Sequence, residues 1–316
     1  MFREYRTICD LSDSSLTVTQ VKGVASNELG EVLLPNGEVC LCQVIEVDGG
    51  KVHAVLLGSP KGISVTDCKV RFLGYGIELP LSEDLLGRTW NSLGEPIDGG
   101  PAVLPEKYMP ISGQPINPLV RIRSEKELLT EITSIDGESP LHLGQARTVM
   151  VNKQASTVTT VAQIVRKTKI AGMDEAPTIV ISAMGVPFEE REHLTDELRR
   201  QGLTARTVLF VSNPEDPPIL RLATAYTVMT AAEYFAFAKE RHVLFIEADM
   251  SAGIDAFAEA MQSVSNEKWE APGIGVSPLS YPYADLSALR ERIGVRRGSA
   301  GSITLLSVLA DRGKLE

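Results

Sequence analysis

The chain has 316 residues, 43% of them hydrophobic and 23% charged, with a formal net charge of −10, which suits two globular domains. The acidic balance argues against nucleic acid as the main partner, because binding a phosphate backbone draws on clustered Lys and Arg. No apolar run approaches the ~20 residues that span a bilayer and the first residues (MFREYRTICD) lack an apolar leader, so the expectation is a cytoplasmic chain with no direct membrane insertion.

Up to about residue 75 the pattern is short extended runs, at 16–21, 31–34, 39–46 and 51–57. They are broken at Pro35-Asn36-Gly37 and Asp48-Gly49-Gly50, which supply the fixed and positive φ angles that tight turns need. This predicts a small N-terminal β-barrel or sandwich over residues 1–75. Cys9, Cys40, Cys42 and Cys68 all fall there. With no C-x-x-C pair and no His set at zinc-ligand spacing they read as reduced, partly buried thiols, and no metal site is expected. His53, His142, His193 and His242 are dispersed, and none is assigned a catalytic role.

A stretch rich in Gly and Pro follows, through Gly87, Gly94, Pro96, Gly99, Gly100, Pro101, Pro105 and Pro110, and reads as an irregular connector. Beyond about residue 125 strands and helices alternate. Continuous apolar runs at 148–151, 178–183, 207–211, 242–246 and 302–306 suit strands covered on both faces. A helix is expected to open near Pro217-Pro218 and to bury a stripe of Leu222, Tyr226, Met229, Ala232 and Ala236. Residues 76–316 are therefore expected to form an α/β domain with a mostly parallel sheet.

The segment 144–165 is the most informative. It has the frame of a nucleotide-binding strand, loop and helix, with Val158, Val161, Ala162 and Val165 on one helix face. The loop between reads Asn152, Lys153, Gln154, Ala155, Ser156 and Thr157. A P-loop needs glycines whose N–H groups curl around phosphates, a Lys on the outer phosphates and a Ser or Thr on magnesium. That set is incomplete here, so the loop reads as a degenerate P-loop position with no cofactor assigned, and Lys153 reads as a solvated charge.

The run 86–101, LGRTWNSLGEPIDGGP, resembles the segment that joins the barrel to the nucleotide domain in rotary ATPases. It is followed in order by Gly113-Gln114-Pro115-Ile116-Asn117-Pro118, Ile135-Asp136-Gly137, Ala183-Met184-Gly185, Asp216-Pro217, Thr230-Ala231-Ala232-Glu233-Tyr234, His242-Val243-Leu244, Asp249-Met250 and Gly301-Ser302-Ile303-Thr304. In that order these are most similar to the non-catalytic B subunit of V/A-type rotary ATPases. The resemblance implies a β-barrel followed by a RecA-like domain of the P-loop NTPase type. It also implies a ring in which this chain alternates with a catalytic A-type subunit, peripheral to a membrane through that complex. It places the P-loop Lys and Thr of catalytic relatives near Thr157 and Val158, which have neither the charge nor, at Val158, the oxygen. It places the water-orienting Glu at Pro187 and Phe188, and Glu189, Glu190 and Glu192 then suit the first turn of a helix.

The resemblance further implies a partner-facing surface containing Glu215, Asp216, Arg221 and Tyr234, and no autonomous ATP hydrolysis. Nucleotide at a subunit interface is not supported by any residue here. Two departures stand out: the sequence stops at Glu316, before the family's arginine finger and C-terminal helical domain, and the stretch Ala271-Pro272-Gly273-Ile274-Gly275-Val276 lacks the arginines of the family's Pro-Gly-Arg-Arg-Gly. They leave open a second reading, a stand-alone scaffold or binding module that does not join a ring. An active hydrolase is the weakest reading.

Overall fold

The computed structural model describes residues 3–12, 15–137, 139–151, 157–249, 255 and 287–310. The chain divides into two compact units, Met1–Glu78 with Asp216–Leu220, and Leu79–Glu215 with Arg221–Glu316.

The first unit is an antiparallel sheet of seven strands: β1 (Glu4–Tyr5), β2 (Ile8–Leu11), β3 (Ser15–Val18), β4 (Leu29–Leu33), β5 (Val39–Asp48), β6 (Lys51–Leu56) and β7 (Lys69–Phe72). Their spatial order is β1-β7-β4-β5-β6-β3-β2. The two outermost strands are joined by only Arg6 and Thr7, so the sheet curls until its ends nearly meet. Inward and outward residues alternate, and Val18, Val32, Cys42, Val44, Val52 and Val70 are fully enclosed. The β5–β6 hairpin turns on Gly49 (φ 52°) and Gly50 (φ 89°) between the pair Asp48 and Lys51. Both central residues have the positive φ of a turn whose twist matches the flanking strands. All four cysteines are free, and burial pushes the Cys42 thiol up to about 12, leaving it protonated and inert.

The second unit is built on a larger sheet. Short strands β8 (Glu78–Leu81), β9 (Thr89–Trp90), β10 (Lys107–Pro110), β11 (Arg121–Ile122) and β12 (Glu127–Leu129) lead to helix α1 (Thr133–Asp136) and β13 (Leu141–His142). Then follow β14 (Ala146–Val151), α2 (Thr157–Lys167), β15 (Lys169–Ile170), β16 (Thr178–Met184), α3 (Phe188–Arg200), β17 (Thr207–Ser212), α4 (Pro218–Glu233), β18 (His242–Glu247), β19 (Gly294–Arg296) and β20 (Ser302–Ala310). The sheet runs β11-β19-β20-β18-β16-β17-β9, with β14 also beside β20. Strands β14, β20, β18, β16, β17 and β9 are mutually parallel, and β11 and β19 add an antiparallel flank. The mostly parallel sheet stands as expected, and all five apolar runs form strands, but β14 is not covered on both faces: Met150 is 67% exposed.

Two features differ from the expectation. The Gly/Pro connector is not merely irregular: Thr89 and Trp90 add a parallel strand beside β17, with the Trp90 ring enclosed and its Nε1 donating to Leu85 O at 3.2 Å. A strand of two residues is too short to show a period. In α4, Leu222 and Tyr226 are only half-buried, while Arg221, Thr224, Thr227, Val228 and Thr230 are buried. This helix is enclosed nearly all round, so no single apolar stripe marks its inner face. Its threonines are satisfied within the fold: Thr227 Oγ1 bonds Ala223 O (3.0 Å) one turn back and Ser92 O (2.7 Å) on a distant segment, and Thr230 Oγ1 donates to Tyr226 O (2.9 Å).

Helix α2 buries Val158, Val161, Ala162, Ile164 and Val165 beside α3 and on β20, in one core with Ile179, Ile181, Leu244, Ile246 and Leu306. After α4 the chain widens into a π-helical turn, Tyr234–Ala238, which passes the start of β20 so closely that a Cβ on Gly301 would lie 1.8 Å from Ala236 O. Among the described residues no helix is long and apolar enough to cross a membrane.

Candidate functional site

In an open parallel sheet ligands bind outside the carboxyl ends of the strands, where the strand order reverses. Among the long parallel strands β14 comes first in the chain, and its successor β16 lies beyond both β20 and β18, which puts the reversal over the ends of β14, β20 and β18. Three polar residues form a row there. Cα pairing aligns Ser182 of β16 with Glu247 of β18, and Glu247 with Ser307 of β20. Alternation sets all three on the face opposite α2 and α3.

The Ser307 hydroxyl donates to Glu247 Oε2. Burial raises the Glu247 pKa above the ordinary carboxylate range, with the Ser307 bond and Arg290 opposing that shift. Ser182 Oγ is enclosed and has no partner among the described residues. Sequence reasoning missed this row. The available signal was an acid closing an otherwise apolar strand, HVLFIE, a position where the backbone pattern alone gives no reason for a charge.

The degenerate P-loop residues Asn152, Lys153, Gln154, Ala155 and Ser156 lie outside the described residues. Thr157 and Val158 open α2. Thr157 is half-buried, and Val158 is 1% exposed within the core beneath the helix. At the end of β16 the chain turns through Gly185 (φ 64°), whose N–H donates to Ser212 O at 3.0 Å. Pro187 then caps α3, Phe188 is 62% exposed, and Glu189 and Glu190 occupy the first turn. The Arg191 guanidinium stacks 4.6 Å from the Phe188 ring and donates to Asn213 Oδ1 at 3.1 Å. No carboxylate takes the position matched to a water-orienting Glu. Among the described residues, Val158 offers no oxygen to a magnesium ion, and Glu247 Oε2 already accepts from Ser307.

The four residues expected on a partner-facing surface are not gathered at one place. Glu215 is exposed, Asp216 half-buried and Arg221 buried at 7% exposure, all around the start of α4. Tyr234 lies 13 residues beyond Arg221, about 20 Å along the helix axis at 1.5 Å per residue. It is 2% exposed, and its hydroxyl donates to Glu106 Oε2 at 2.9 Å. Burial, then this carboxylate, raises the Tyr234 pKa.

The most completely bonded polar cluster lies elsewhere in the unit. Arg292, 2% exposed, grips Glu233 with two bonds, Nε to Oε1 at 3.0 Å and Nη2 to Oε2 at 2.8 Å. It also donates to Ile111 O and Thr230 Oγ1, each at 2.9 Å. Gly113 (φ 51°) lies against the guanidinium, where a Cβ would be 2.1 Å from Cζ. The motifs at 113–118 and 230–234 thus meet through one arginine. Burial and this pairing were not legible, because an Arg in a sequence reads as surface.

A near-closed antiparallel sheet followed by a parallel sheet with flanking helices defines the RecA-like, P-loop type of domain behind an N-terminal barrel. The beta-barrel domain of the ATP synthase alpha/beta family matches residues 15–74, and the nucleotide-binding domain of the same family matches residues 131–314. The chain belongs to the ATP synthase alpha/beta family, which contains catalytic and non-catalytic members, and membership supports a role with other subunits in a rotary ATPase complex.

Proposed function

We propose that this chain is a non-catalytic, B-subunit-like structural or regulatory component of a V/A-type proton- or sodium-translocating ATPase or ATP synthase, with no ATP hydrolysis of its own. The observation that carries this reading is Val158. The position matched to the magnesium-holding Ser or Thr is a fully buried hydrocarbon at the head of α2, so metal coordination there would require both a different atom and a different packing. The exposed Phe188, held by Arg191 where hydrolytic relatives need a carboxylate, supports it independently.

Its partner in this reading is a catalytic A-type subunit in a hetero-oligomeric ring. Glu215 and Asp216 supply the accessible contact, Arg221 stands behind them, and Tyr234 fixes the far end of α4. Co-expression with a catalytic A-type subunit, followed by size-exclusion chromatography at micromolar concentration, is expected to yield a complex that Glu215→Lys weakens. Failure to form any complex would count against ring membership and favour the stand-alone scaffold.

A further inference from the structure

Far from the carboxyl rim, at the amino end of β14, a groove of about 350 Å³ is lined by Arg121, Arg123, Ser124, Gly144, Gln145 and Gly294 among others, and no Asp or Glu lines it among the described residues. In a chain of net charge −10 that is a local reversal of sign. The polar side chains also share a direction of hydrogen bonding. Arg121 uses Nη2 on Glu291 O, which leaves its other N–H groups as donors. Arg123 makes no ion pair or side-chain hydrogen bond among the described residues. Gln145 Oε1 already accepts from His142 N at 3.1 Å, so its amide N–H₂ remains. Ser124 Oγ accepts from Lys126 N at 3.1 Å, so its O–H remains.

The groove therefore presents N–H and O–H donors, two of them on permanently charged guanidinium groups. Backbone geometry opens it. Gly144 (φ 82°) and Gly294 (φ 152°) pass so closely that a Cβ on Gly144 would lie 3.0 Å from the Gly294 carbonyl carbon. Arg296, opposite Arg121 in the β11–β19 pair, is a second cation on this flank and stacks 3.7 Å from the Phe237 ring.

We propose that this groove binds a phosphate group, with the guanidinium groups of Arg121 and Arg123 as its charged clamp and Gln145 and Ser124 as neutral donors. The site is separate from the degenerate P-loop sequence, which follows Val151 at the other end of β14. The test is isothermal titration of the intact chain with inorganic phosphate and, separately, with ATP, both at constant ionic strength. The expected result is saturable phosphate binding that Arg123→Ala weakens at least tenfold and Arg123→Glu abolishes. The melting temperature without phosphate should not change, because Arg123 holds no part of the fold.

ATP binding with the same Arg123 dependence assigns the phosphate to a nucleotide, whereas binding of inorganic phosphate alone assigns it to the free anion. Absence of saturable binding of either at millimolar concentration overturns the proposal, as does binding indifferent to both Arg123 substitutions.

Discussion

The carboxyl rim of the parallel sheet and the Glu233–Arg292 cluster belong to one unit yet use polar residues in opposite ways. In the cluster a buried cation meets four oxygen acceptors, and even the missing side chain at Gly113 is part of the fit. At the rim, Val158 is buried hydrocarbon, Phe188 is an exposed ring, Ser182 Oγ lacks a described partner, and Glu247 is pushed toward its neutral form. Polar groups in this unit are fully paired where they join distant segments and incompletely paired at the carboxyl rim.

Breaking the cluster is expected to have the largest effect. Arg292→Met leaves Glu233 buried without its main partner, a loss of roughly 3–5 kcal/mol, read as a lower urea midpoint with an unchanged slope. Adding Glu233→Gln should recover much of that loss, since the uncompensated charge is its source. A shift in the single variant no larger than that of an exposed Arg would mean the cluster does not anchor this unit.

The rim should respond more weakly and through pH. The folded-state pKa of Glu247 is raised above its unfolded value, so its contribution is fully present below the unfolded pKa and is lost as pH rises through the folded pKa. Glu247→Gln removes that dependence. The stability of the variant relative to the natural chain should therefore increase from mildly acidic to mildly alkaline pH in thermal melts. Parallel pH profiles would show that the carboxyl group is not desolvated.

Much of the scaffold could be read from residues alone. The runs of Val, Ile, Leu and Thr marked β16, β17, β18 and β20 because strands covered on both faces need hydrocarbon along their whole length, and Pro217-Pro218 marked the start of α4. What stayed hidden depended on distant neighbours. Trp90 gains its strand only from β17, and Arg292 becomes a core residue only because Glu233, Thr230 and Ile111 converge on it. At the site, Val158 was legible at the opening of a helix. The Ser182–Glu247–Ser307 row appears only once parallel register aligns three strands separated by 125 positions of chain, from 182 to 307.

The most direct test of the central claim is steady-state ATP hydrolysis by the purified chain with magnesium, compared with its Glu247→Gln variant. A chain whose rim cannot support phosphoryl transfer shows no turnover above buffer in either form. Measurable turnover that Glu247→Gln abolishes would contradict the account, because it would make the rim an active site despite Val158 and Phe188.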